Sequence, residues 1–270
     1  MAGVRAARQW LNSTGESLAI ADAAPREGTA HWIVPARTTG GKLLALRIPK
    51  NDDAAAIDQH YTVHHLAAKA NIAPAILWHQ PGDVMVLPWL TAESDPTPEQ
   101  AATALHRLHG IKPSKEVEAK IPKLCLSSLL DTLYDQAREH GAPIPLSPEH
   151  SVVRRLCDDI AKHPQKLCHN DLLPPNLIAT GEQLYLIDWE YAGWNSIYFD
   201  LASLLSARDQ AWADRCIAFY AQLGSYDTRA LLSGRFAYEL VSYYWYAAKG
   251  LPPEPADAPA RLQAYVDQYQ

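Results

Sequence analysis

The sequence predicts an α+β fold in two parts, a small antiparallel sheet carrying one helix and then a larger helical part. Three observations predict it. Up to about Trp89, β-like runs alternate with turn-forming residues; beyond Leu90, apolar residues recur at helical spacing; and only residues 167–193 interrupt the later helices with strand-like runs. With 270 residues, 48% of them hydrophobic, the chain can bury one large core or two modest ones.

Taken in order, "HWIV" (31–34) and "KLLALRI" (42–48) flank the turn-rich "PARTTGG" and read as a hairpin. "DAAAIDQHYTVHHLAAKANIAP" (53–74) has helical period and stops near Pro74, and "AILWHQPGDVMVLPWL" (75–90) reads as two short strands punctuated by Pro-Gly-Asp. "TPEQAATALHRLHG" opens with Thr97 and Pro98 as cap and first-turn residues of a helix. Amphipathic helices follow at 126–141 and 148–163, then the β-like "KLCH" and "QLYLIDW", with helices resuming at Asp200. "LPPEPADAP" (251–259) reads as a surface loop before a last helix. The expected boundary divides a β-rich N-terminal lobe, residues 1–92, from a helical C-terminal lobe, residues 93–270.

Composition narrows the partners. Lys plus Arg number 24 against 30 Asp plus Glu, a net charge of −6 with no basic run, so no nucleic acid is expected. No stretch of about 18 apolar residues exists and the N-terminus lacks the apolar run of a signal peptide, so no membrane is expected and a cytoplasmic protein is. Cys125, Cys157, Cys168 and Cys216 are scattered singly, which predicts buried thiols rather than a metal knuckle or disulfide framework.

The chemistry concentrates in "LCHNDLLPPNLIATGEQLYLIDWEYAG" (167–193). Asp171 and Asn176 each suit a turn, and Asp188 could cap the element after a strand. Their spacing says more. An Asp two residues after His169, an Asn five residues later, and a second Asp delivered by the apolar "LYLI" match what phosphoryl transfer from a nucleotide needs: one carboxylate to take the proton of the attacking hydroxyl, and an amide oxygen plus a carboxylate for Mg²⁺.

The stretch resembles the signature of the aminoglycoside phosphotransferase and choline kinase superfamily, H-x-D-x-x-x-x-N followed by I-D-[FW]-E-Y. "CHNDLLPPNL" with "LIDWEYAGWNSIYFDLASLL" is most similar to the bacterial choline kinase and thiamine kinase branch; the likeness is close over residues 167–205 and faint elsewhere. It implies a two-lobed protein-kinase-like fold with ATP as co-substrate and Mg²⁺ as cofactor. Asp171 would be the base, Asn176 and Asp188 the metal ligands, and Asp200 a buried brace for the catalytic loop, with His169 holding that loop through backbone hydrogen bonds.

The N-terminal lobe departs from the family pattern. The phosphate-covering loop offers Gly28 and Thr29 in "REGTAHW", where relatives have a glycine pair. Arg47 stands where protein kinases carry a strand Lys, and can pair with phosphate oxygens. The following helix should supply that cation with a Glu, yet the sequence around 60–62 is "HYT" and the nearest acid is Asp58.

For the acceptor, "FAYELVSYYWYAAKG" (236–250) sets Tyr238, Tyr243, Tyr244, Trp245 and Tyr246 on one helix. Most such rings pack a core; the functional alternative is an aromatic enclosure for a cation. The resemblance points to Tyr191 and Trp245, with Trp194 beside them, and Glu190 adds charge suited to a cationic substrate. A small cationic alcohol of the choline or ethanolamine type ranks first, then thiamine, then an aminoglycoside or amino sugar, which would call for a denser acidic groove. Two rivals differ in class: a nucleotide-binding pseudokinase, which has no need of Asp171, and a metal hydrolase, which lacks further His ligands.

Overall fold

A computed structural model of the chain describes residues 2–20, 25–27, 30–50, 53–253 and 255–269. It opens on helix α1 (Ala2–Ser13), an element absent from a strand-rich reading of residues 1–89. Its buried face is Gly3, Ala6, Ala7 and Leu11, of which only Leu11 is a large apolar side chain. Gly3 is required there, because a Cβ would stand 2.4 Å from the Asp83 carbonyl oxygen.

Strands β1 (Leu18–Ile20), β2 (Arg26–Glu27), β3 (His31–Thr38) and β4 (Leu43–Pro49) come next, then helix α2 (Ala54–Lys69) and the hairpin β5 (Trp78–Gln80) and β6 (Val84–Pro88). The sheet runs β1-β3-β4-β6-β5 with β2 also on β3, every pairing antiparallel. The β3–β4 hairpin is longer than the expected one: "PART" continues the strand, and the turn shrinks to residues 39–42 with Gly41 at φ 86°. Pro35 lies opposite Ala45 of β4 and, among the described residues, between the stretches of β3 that β2 and β1 pair with. Alternation along β4 sends Leu44, Leu46 and Ile48 into a core with α1 and Arg47 to the opposite face.

Asp53 caps α2 by accepting from the Ala55 and Ala56 amides, and Thr97 with Gln100 forms a capping box on α3 (Pro98–His109). Helices α4 (Lys115–Glu118), α5 (Leu126–Glu139) and α6 (Ser151–Lys162) lead to β7 (Gln165–Cys168). The hairpin β8 (Leu177–Thr180) and β9 (Gln183–Leu186) follows, then β10 (Gly193–Ser196), which pairs with β7. The chain ends in α7 (Ile197–Ser206), α8 (Gln210–Leu223), α9 (Thr228–Ala248) and α10 (Ala258–Tyr269). Strands β8 and β10 are additions to the expected elements, and α7 begins at Ile197 rather than Asp200, capped by the Ser196 hydroxyl.

Two compact units result: Met1–Ile121 with Pro175–Ala192, and Pro122–Pro174 with Gly193–Gln270. The first is built on the sheet, α1 and α2. In the second, α9 is central: Phe236, Leu240 and Tyr244 share a core with Leu130 and Leu156 of α5 and α6 and Leu262 of α10. Gly234 lets α9 meet the Tyr198 backbone, whose oxygen would lie 2.2 Å from a Cβ. The expectation of four buried thiols is corrected at one position. Cys168 and Cys216 are buried and Cys157 is half-buried, but Cys125 is exposed at the start of α5, where its Sγ meets the Ser127 and Ser128 hydroxyls.

Candidate active site

In the second unit β7 delivers the chain to His169, Asn170 and Asp171. The loop's backbone is held by side chains of α7. Asp200, fully buried, accepts from the amides of His169 at 2.9 Å and Asn170 at 2.6 Å, and Ser203 Oγ accepts from Leu172 at 2.8 Å. Asn170 takes a left-handed conformation, φ 66°, and its Oδ1 accepts from Asn195 Nδ2 at 2.8 Å. Three amides bound by fixed side chains impose one shape on the loop and leave Asp171 half-buried beyond it. Asn195 and Ser203 carry no motif signal in the sequence; each is an ordinary polar residue until the fold places it.

In the first unit, the β8–β9 hairpin organises Asn176 and Asp188. Ile187 N donates to the Asn176 carbonyl at 3.0 Å, so the residues flanking the hairpin's open end lie together. Trp189 anchors that end: it is fully buried and its Nε1 donates to the Leu186 carbonyl at 3.2 Å. Asp188 itself is left-handed, φ 65° and ψ 68°, an uncommon conformation for a residue other than glycine. A turn of Trp189–Tyr191 follows, with Glu190 half-buried and Tyr191 exposed.

Arg47, 5% exposed, donates through Nη2 to Asp188 Oδ1 at 3.0 Å and lies 3.2 Å from His31 Nδ1. An arginine only donates, so this His31 nitrogen is the acceptor and the ring is neutral. Burial pushes the His31 imidazole down to about 3, helped by the Arg47 charge. Burial also lowers Arg47, against the opposing pull of Asp188 and Glu190. The acid expected on α2 has no counterpart at Asp58, which pairs instead with Lys120 at 3.0 Å on the surface. His60 stands near in its place, its ring 5.3 Å from that of His31. Nothing in the sequence marks His31 as a partner of Arg47 or sets His60 beside His31; the meeting of β3, β4 and α2 does both.

Asn176 and Asp188 offer an amide oxygen and a carboxylate, the hard donors that suit Mg²⁺. Gly28 and Thr29, read as phosphate-contacting, lie outside the described residues.

The aromatic residues of α9 divide. Tyr243 and Tyr244 are core residues whose hydroxyls donate to the carbonyls of Pro143 and Leu146. Tyr238 lies edge-on to Phe199 at 5.6 Å. Trp245 is half-buried, edge to face with Tyr246 at 5.3 Å, and Lys249 Nζ lies 5.7 Å from its ring centroid. That face already meets a cation from the next turn of its own helix. Trp194, half-buried on β10, exchanges backbone hydrogen bonds with Pro122 and Leu124.

Comparison with known proteins points the same way. The model of a family described as phosphotransferase enzyme family matches residues 34–238. Protein LicA of Haemophilus influenzae is 47% identical over 38 residues, 14% of this chain and 14% of that protein. A thiamine kinase of Salmonella newport is 28% identical over 204 residues, 67% of this chain and 65% of that one. The chain thus covers less than two thirds of either relative. Among solved structures, a choline/ethanolamine kinase family protein from Mesorhizobium loti superposes with a TM-score of 0.67 at 23% identity, covering 98% of this chain and 95% of that chain, a likeness of fold.

Proposed function

This chain belongs to the phosphotransferase enzyme family, and from that premise we propose that it moves the γ-phosphoryl group of ATP to the hydroxyl of a small cationic alcohol of the choline or ethanolamine type. Asp171 takes the hydroxyl proton as the oxygen attacks phosphorus and the bond to ADP breaks. Asn176 and Asp188 would hold Mg²⁺, which would supply charge neutralisation at the phosphate oxygens. Arg47 serves those oxygens from a buried, neutral-histidine setting, and Asp188 keeps it aimed. Asp200 and His169 fix the loop. Glu190, Tyr191, Trp194 and Trp245 are proposed for the acceptor.

The observation that carries the reading is the pinned loop at 169–172. Three amides engaged by Asp200 and Ser203 specify where a half-buried carboxylate sits, a constraint that a surface turn does not need. Thiamine is the second acceptor, favoured by a likeness to thiamine kinase that extends over 204 residues. It shares with choline a cationic nitrogen and a primary alcohol.

The test is ADP release coupled to a reporter, with Mg·ATP and choline, ethanolamine, thiamine or an aminoglycoside as acceptor. Choline or ethanolamine should give the highest kcat/KM. Asp171→Asn should lower kcat by about 10²-fold or more while nucleotide affinity holds. A fully active Asp171→Asn enzyme would sink the base assignment, and turnover confined to the aminoglycoside would sink the acceptor class.

A further inference from the structure

Asn195 lies buried on β10, a strand fixed along both edges. It pairs antiparallel with β7, Asn195 opposite Lys166. On the other side Trp194 N donates to the Pro122 carbonyl at 2.8 Å and Leu124 N to the Trp194 carbonyl at 2.9 Å. Gly193 permits that approach, since a Cβ there would stand 2.7 Å from the Pro122 oxygen. The Asn195 side chain is oriented as firmly as its strand is placed. Ser196 N donates to Asn195 Oδ1 at 2.8 Å, and a backbone N–H can be met only by the oxygen end of a carboxamide. The Nδ2 end is therefore turned to Asn170, whose Oδ1 accepts from it at 2.8 Å. Asn170 is buried too, so little water competes for this bond.

Asn170 is where the loop turns. Its φ of 66° lies in a region that residues other than glycine rarely occupy, and that asparagine enters with the help of hydrogen bonds from its short side chain. Asp200 holds the amide of this residue and Ser203 holds the Leu172 amide two residues on; the Asn195 bond acts between them. If Asn170 relaxed to an ordinary negative φ, the chain would leave it in another direction and carry the Asp171 carboxylate away. We propose that Asn195 is a positioning residue for phosphoryl transfer: its side-chain amide holds Asn170 in the left-handed conformation that aims Asp171. This rests on the reading of Asp171 as the base.

Turnover of choline with Mg·ATP and amide hydrogen exchange, both on the full chain, test it. Asn195→Ala should lower kcat about 10-fold and leave KM for ATP unchanged, because the base is misplaced and the proposed nucleotide residues are not. Asn170→Gly, free of the Cβ that makes a positive φ costly, should retain more activity than Asn170→Ala. Added to Asn170→Gly, Asn195→Ala should cost no more than about 2-fold, since the conformation it enforced is then accessible without it. Exchange reads the same contact without catalysis: Asn195→Ala should quicken the Asn170 and Leu172 amides while the β7–β10 ladder stays protected. Equal losses from Asn195→Ala with and without Asn170→Gly, a ladder that opens together with the loop, or loop amides left unchanged would each overturn the proposal. A fully active Asp171→Asn enzyme would instead remove Asp171 as the base, and the exchange data would still show whether Asn195 holds the loop.

Discussion

Arg47 has almost no contact with water, so the groups around it decide what it can bind. One carboxylate oxygen and one neutral imidazole nitrogen hold it. Removing the side chain by Arg47→Ala should weaken ATP far more than adenosine, since phosphate contacts are lost and base contacts are not; equal weakening in a binding titration would point to collapse of the sheet. Arg47→Lys should recover part of the affinity, as a point charge without the fork. Trp245 is harder to interpret, because Lys249 shares its ring face. If that face serves the acceptor's cation, Trp245→Leu should raise KM for choline roughly 10-fold, about 1–2 kcal/mol, with a smaller change in kcat. Lys249→Gln should lower KM by removing a like charge. Parallel losses for choline and a neutral isostere in Trp245→Leu would return the ring to packing. The carboxylates and amide of the motif were legible in the sequence because their spacing is local. The histidine partner of Arg47 was not, since nothing about His31 at the start of a strand marks what it will face.

At the scale of elements, period and punctuation foretold α2, α3, the β5–β6 hairpin and the last helix, where a cap or a Pro-Gly turn coincides with a change of pattern. Helix α1, which buries only Leu11 as a large apolar side chain, was not foretold, and β8 was hidden by its four-residue length between Asn176 and a glycine turn. Helix α2 also carries a consequence for pH. His64, 2% exposed, donates through Nε2 to the Pro74 carbonyl at 2.7 Å and so ties the helix to the segment leading into β5. Burial pushes it from 6.5 down to about 4, against the Pro74 carbonyl, which favours the charged form. A lowered folded value means that below pH 6.5 the unfolded chain takes a proton that the native ring refuses. Stability is therefore fully present above 6.5 and falls as pH drops toward 4, by up to about 1.4 kcal/mol per pH unit for this one group. Urea midpoints at pH 6.5 and 4.5 should differ more in the unaltered chain than in His64→Gln, whose amide retains the donor but does not titrate. An identical pH slope in the two proteins would refute the assignment.

On the scale of the whole chain, the first unit is discontinuous. Residues 175–192 return to join Met1–Ile121, and the Arg47–Asp188 ion pair spans 141 positions in sequence. Local periodicity has no means of announcing such a return; an expected boundary at 92/93 tracks the change of texture, whereas the units track contact. Arg47, Asn176 and Asp188, proposed for nucleotide and metal, all belong to this one unit though the chain supplies them from both of its pieces. A ligand that binds all three is bound only when both pieces are in place, so binding must be linked to the unit's folding. Mg·ATP at 100 times its Kd should then stabilise the native state by about 2.7 kcal/mol, raising Tm by roughly 5–10 °C for a chain of this size. Asp188→Ala should lose this increment, as should the unaltered protein with ATP in excess EDTA, whereas Asp171→Asn, which leaves the proposed nucleotide and metal residues intact, should keep it. Thermal scans of the three proteins with and without Mg·ATP separate the outcomes. A shift preserved in Asp188→Ala would remove that residue from the metal site, and a shift lost in Asp171→Asn would make Asp171 a binding residue instead of a base.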